Sequence, residues 1–108
     1  MPFVPEDMLE EIARRFALLG DTTRLRIVRI LHERGEATVS EIAAATGTSA
    51  ANASQHLRRL LLGGLAGRTR DGQAVRYRII DPAIEQVCAI VCGSLSSGTA
   101  AMREAVGA

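Results

Sequence analysis

Apolar residues along this 108-residue chain recur first with a helical period, then with a strand period, then with a helical period again. Leu9, Ile12, Phe16 and Leu19 are spaced by three and four, which predicts an amphipathic helix from residue 6 that Gly20 ends. Asp21 can cap a second helix that carries Leu25, Val28 and Leu31 inward, with Ile27 and Ile30 widening its apolar face. Arg24, Arg26, Arg29 and Glu33 fall on its outer face, and Gly35 is its stop. Thr38 to Glu41 fits a capping box and opens a short third helix through Ile42 and Ala45. Thr46-Gly47-Thr48 breaks that helix. Ser49 then caps a fourth, with Ala53, Leu57, Leu60 and Leu61 inward and Gly63-Gly64 as terminator.

The period then changes. Residues 65–70 and 73–80 read as two strands joined at Asp71-Gly72, a hairpin signal. In the second run Val75, Tyr77 and Ile79 alternate with Arg76 and Arg78, so one face is buried and the other cationic. Asp81-Pro82 opens a last helix, with proline where a missing N–H does no harm. Its stripe is Ile84, Val87, Cys88, Val91, Cys92 and Leu95. Ser96-Ser97-Gly98 weakens it, so residues 98–108 are expected to fray. The expected fold is mainly α with a β-hairpin wing: a winged helix-turn-helix of order α-α-α-α-β-β-α. It occupies 1–108 as one domain, with the helix-turn-helix at 38–63 and the wing at 65–80.

Composition narrows the class. A chain that is 47% apolar and 23% charged, with a net charge of +1, is too apolar for a disordered protein. No run approaches the ~18 apolar residues of a membrane span. The acidic N-terminus does not resemble a secretory signal, so a cytoplasmic protein is expected. The near-neutral total hides an asymmetry. Residues 42–80 hold six arginines against the single acid Asp71, while the rest holds seven arginines against eleven acids. A basic middle between acidic ends points to a polyanion as partner.

The fourth helix suits a major groove, which admits one helix whose outward side chains reach base edges. Ser49, Asn52, Ser54, Gln55 and His56 can donate and accept hydrogen bonds, and Arg58 and Arg59 can reach phosphate or guanine. An ordinary solvated helix face would look the same; the hairpin tips the reading. Arg68, Arg70, Arg76 and Arg78 place charge on a thin projection able to meet the DNA backbone or an adjacent minor groove. For His56, packing beneath the helix is an equal alternative to touching DNA.

The segment around residues 16–81 resembles the ArsR–SmtB family of winged-helix repressors. The resemblance rests on Leu19-Gly20-Asp21 with Arg24-Leu25-Arg26-Ile27, on Ser54-Gln55-His56-Leu57 with Leu60 and Gly64-Leu65, and on Gly72 followed by Tyr77. It implies a homodimeric repressor on double-stranded DNA with an imperfect palindrome, released by an inducer. It also implies that the first and last helices, 6–19 and 82–97, form the dimer interface, in agreement with their apolar stripes. The family's metal positions do not carry over. Thr38 and Ser40 stand where a Cys-x-Cys pair would lie in the third helix; of the last-helix set only Asp81 remains, with Ala83, Ser94 and Ser97 at the other places.

Cys88 and Cys92 are left as sensor candidates. Four residues apart, they share one helix face and could hold a soft metal or metalloid between two subunits, or react with a thiol-directed signal. They also lie on the apolar stripe, where cysteine packs as a small hydrophobe. His32 is a further soft-metal ligand in principle. No metal is required for the fold. An enzyme is not expected, because the chain lacks Cys-x-x-Cys spacing and any nucleophile–base constellation. A winged-helix protein-interaction module without DNA binding, or a regulator without cysteine-based sensing, are the alternatives.

Overall fold

The computed structural model describes residues 3–105, and side chains as far as residue 98. A 3-10 turn at Glu6–Met8 leads into α1 (Leu9–Leu19), followed by α2 (Thr22–Arg34), β1 (Ala37–Thr38), α3 (Val39–Thr46) and α4 (Ala50–Leu62). The chain then forms β2 (Ala66–Asp71), β3 (Ala74–Ile79) and α5 (Ala83–Ala105). The three strands make one antiparallel sheet in the order β1-β3-β2.

Local chemistry sets most of these boundaries. The Asp21 carboxylate accepts from the Arg24 N–H at 2.9 Å and starts α2. Thr38 and Glu41 close a reciprocal capping box at α3: the Glu41 N–H donates to Thr38 Oγ1 at 3.2 Å, and the Thr38 N–H donates to Glu41 Oε1 at 3.1 Å. Gly47 ends α3 in the left-handed conformation at φ 72°, which turns the chain sharply into α4. Ser49 Oγ then accepts from the Asn52 N–H at 3.0 Å.

The core gathers one edge from each element after α1, whose Leu18 and Leu19 only lean against it. Ile27 and Leu31 of α2, Ile42 of α3, Leu57 and Leu60 of α4 and Leu65 ahead of β2 are fully buried, with Tyr77 and Ile84 beside them. Each such side chain contributes about 1.5–3 kcal/mol by leaving water.

Several expectations are corrected. The wing turn is Gly72-Gln73, one residue later than read from the sequence: Asp71 pairs with Ala74, and Gly72 takes φ 64° while Gln73 keeps a negative φ. That is the type II′ pattern, which needs glycine only at its first central position. A third strand, β1, joins the sheet. Leu25 is not inward but 39% exposed, because the buried edge of α2 runs through Ile27, Val28, Ile30 and Leu31. Arg24 is not a solvated outer residue: Nε donates to the Leu18 carbonyl at 2.7 Å and Nη2 to the Ala17 carbonyl at 3.2 Å, serving the unpaired end of α1. Ala45 is exposed and Leu61 half-buried. The last helix does not fray at Ser96-Ser97-Gly98 but runs through Ala105; residues 106–108 of the expected tail lie outside the described residues.

Hydrogen bonding to the Arg24 N–H, aided by the nearby Arg24 and His56 charges, holds the Asp21 carboxyl below its ordinary range. The Thr38 backbone and hydroxyl, then Arg76 and Arg34, do the same for Glu41. A depressed folded pKa contributes stability above the unfolded value of about 4, and that contribution is lost as pH falls through the folded one. Thermal stability should therefore drop between about pH 5 and pH 3. Glu41→Gln keeps a capping side chain without the titrating charge, so its melting curves should depend less on pH across that window. Equal slopes for both proteins would contradict the assignment.

Candidate nucleic-acid interface

α3 and α4 form the helix-turn-helix, and α4 also packs on α2 and β2. Its inner edge is Ala53, Leu57 and Leu60, at spacings of four and three, each with no exposed surface. A helix anchored along that edge must turn Asn52, Ser54, Gln55, Arg58 and Arg59 outward, and all five are exposed.

These side chains differ in freedom. The Asn52 amide donates to Thr48 Oγ1 at 2.6 Å, so it is held at the entry of α4. The Ser49 oxygen is engaged as the cap, with its O–H still able to donate. Among the described residues, Ser54, Gln55, Arg58 and Arg59 have no side-chain partner within the chain. They are open hydrogen-bonding groups on one face of α4. His56 departs from this set. It is half-buried, its Nδ1 is buried without a partner among the described residues, and it sits near enough to Asp21 to act on its charge. Its half-buried ring sets it apart from the solvent-facing side chains of α4.

The wing arginines separate by strand parity. Arg68 pairs with Tyr77 and Arg70 with Val75, so both project from the apolar side of the sheet, beyond the body, where they are exposed. Arg76 and Arg78 lie on the opposite side. The Arg78 guanidinium donates to Thr69 Oγ1 at 2.6 Å and remains exposed. Arg76 is half-buried among three carboxylates. The sequence places four cations on the hairpin; the structure leaves Arg68, Arg70 and Arg78 facing solvent and draws Arg76 inward.

Set against known proteins, residues 19–66 match a helix-turn-helix domain family. The regulator KmtR of Mycobacterium tuberculosis is 32% identical over 84 residues, covering 78% of this chain and 64% of that protein. A Staphylococcus aureus homologue of the cadmium resistance regulatory protein CadC is 35% identical over 77 residues, covering 71% of this chain and 64% of its own length. The homodimeric winged helix-turn-helix DNA-binding domain of Mb0332 from Mycobacterium bovis superposes with a TM-score of 0.73 at 31% identity, covering 91% of this chain and 92% of that domain. The chain belongs to the ArsR–SmtB family.

Two positions that the family resemblance marks for metal are engaged otherwise in this structure. Thr38, at a family metal position, spends its hydroxyl oxygen on the α3 cap. Asp81 accepts from the Ala83 N–H at 3.0 Å and is also bound by the Arg15 guanidinium. Neither residue fits a metal ligand here. Among the described residues, no group of three or more His, Cys, Asp or Glu side chains is arranged to hold an ion. Cys88 is half-buried and packs on the core, whereas Cys92 is exposed one turn further along. Both border a groove of about 330 Å³ between α2 and α5, with His32 and Glu85 on its rim 2.7 Å apart.

Substituting the anchor tests this geometry. Leu57→Ala should destabilise the fold by about 2–5 kcal/mol, whereas Gln55→Ala should leave the urea midpoint within the error of the wild-type value. A large stability loss from Gln55→Ala would mean that α4 presents a different face.

Proposed function

We propose that this chain is a homodimeric, sequence-specific DNA-binding repressor that acts in the cytoplasm and lets go of its operator when an inducer arrives. The observation that carries the reading is the open outer face of α4, with Ser54, Gln55, Arg58 and Arg59 unpaired among the described residues, flanked by exposed Arg68, Arg70 and Arg78 of the wing. Ser49 and Asn52 complete the DNA-facing set at the helix entry. Gln55 can bond adenine bidentately, the arginines guanine or phosphate. The segment from residue 42 to residue 80, with its surplus of five positive charges, supplies the sequence-independent attraction.

The homodimer is supported by what α1 and α5 leave uncovered. Phe16 is 57%, Val91 52% and Ile90 71% exposed, an apolar surface that a single copy does not bury. A twofold pairing of these helices would set the two α4 helices about 34–36 Å apart, one turn of DNA, and so call for an imperfect palindrome. The homodimeric Mb0332 domain supports the same reading. Among the described residues no helix is long and apolar enough to cross a membrane.

Two thiols at the α2–α5 groove favour a soft metal, metalloid or thiol-reactive inducer, and the CadC relative is named for cadmium resistance. With two thiols per chain, a metal would take its remaining ligands from the second subunit. The packing of Cys88 against the core supports a regulator without cysteine-based sensing instead.

Three measurements decide between these. On a duplex selected from a random-sequence pool, Gln55→Ala should lose about 1–3 kcal/mol of preference at one base position, and Arg70→Ala should weaken all duplexes alike while lowering the salt slope by about one. If neither variant changes binding, the protein-interaction module is the better reading. Val91→Asp should give a monomer by sedimentation and cut operator affinity; an intact dimer would move the interface elsewhere. Cys88→Ser with Cys92→Ser should still bind DNA but ignore cadmium, arsenite and persulfide. Unaltered release would make both cysteines packing residues.

A further inference from the structure

Arg76 is the most encircled cation among the described residues. Its Nε lies 3.8 Å from Glu36 Oε1 and 3.6 Å from Asp71 Oδ2, and its Nη1 lies 3.6 Å from Glu41 Oε1. The three carboxylates come from different parts of the fold. Glu36 precedes β1, Glu41 is in the first turn of α3, and Asp71 ends β2 at the wing tip. Backbone pairing reinforces the meeting: Arg76 sits opposite Thr38 on one side and Thr69 on the other. Thr38 is also the cap of α3, and Glu41 Oε1 is the oxygen that receives its N–H. One guanidinium thus joins the hairpin to the N-terminus of the helix that braces α4.

The Arg76 guanidinium is engaged from within the chain by three carboxylates, whereas Arg70 and Arg78, which border the same recess, carry no carboxylate partner among the described residues and are the cations left for a phosphate. Each pair is partly exposed and, taken singly, adds little to stability. What the arrangement adds is reach: Nε faces Glu36 and Asp71 while Nη1 faces Glu41, ion pairs longer than hydrogen bonds and spread more widely than a single ammonium could match.

We infer that Arg76 is a positioning residue that sets the angle of the wing relative to α4, so that Arg68, Arg70 and Arg78 reach the backbone while Gln55 reaches the bases. The inference rests on the DNA-binding reading above. It predicts a loss of discrimination without a loss of phosphate contacts.

The experiment compares wild type, Arg76→Gln, Arg76→Lys, Glu41→Gln and Arg70→Ala by fluorescence anisotropy. Two probes are used, a duplex selected by wild type from a random pool and a fixed mixed-sequence 30-base-pair duplex, each over a salt series. Arg76→Gln should cut the preference for the selected duplex by about tenfold, within the range for residues coupled through shared contacts, and leave the salt slope on the mixed duplex unchanged. Glu41→Gln keeps the α3 cap and should shift the preference the same way by less. The double variant with Arg76→Gln should fall short of the sum. Arg76→Lys should recover only part of the preference. A salt slope lower by about one for Arg76→Gln, as for Arg70→Ala, with lysine restoring it fully, would make Arg76 a phosphate contact and overturn the inference. So would an unchanged preference in Arg76→Gln. If wild type itself shows no salt-dependent binding to either duplex, the DNA-binding reading fails first and the inference with it.

Discussion

Leu57 and Leu60 enter the core with no exposed surface, and that burial decides where everything else on α4 points. A helix held along one edge by Ala53, Leu57 and Leu60 cannot rotate without exposing leucine, at about 1.5–3 kcal/mol for each side chain. Its opposite edge is therefore presented with little angular freedom. Nothing on that edge contributes to the core, so its chemistry is free to serve recognition.

The remaining apolar surface obeys a different constraint. α1 buries no residue fully, and beyond Ile84 and Cys88 the stripe of α5 faces outward. α5 nonetheless starts from a firm anchor: Asp81 caps its first turn and binds Arg15 of α1, and His32 of α2 pairs with Glu85. Polar contacts thus fix the root of the helix, and its apolar length extends from the body. A chain this small has little volume in which to bury both helices. The proposed second copy would supply the missing wall.

Legibility in the sequence followed the range of the interaction. The caps at Asp21, Thr38 and Ser49 act across three residues, and each was readable from its residue types and spacing. The buried edge of α4 was readable because its period is set within one helix. β1 was not, since two residues carry no period and their strand character comes from pairing with Tyr77 and Arg76, nearly forty positions on. Leu25 was misread because a helix with five apolar residues close together has several possible inner faces, and only its neighbours choose among them. For α5, Ser97 returns its hydroxyl to the Gly93 carbonyl at 2.6 Å, keeping within the helix a residue type that otherwise favours its end.

The wing shows why a count of charges is a poor guide to a binding surface. Its arginines look equivalent in the sequence, yet pairing parity sends Arg68 and Arg70 to one side of the sheet and Arg76 and Arg78 to the other. Which carboxylates approach then separates Arg76 from the rest, because Glu36 and Glu41 arrive from segments that the alternation of β3 cannot foresee. In the proposed reading the two kinds of arginine divide the work: the solvent-facing Arg68, Arg70 and Arg78 would bring the duplex close, while Arg76, held by carboxylates, would keep the hairpin from meeting it at many angles, and contacts averaged over many angles distinguish bases poorly.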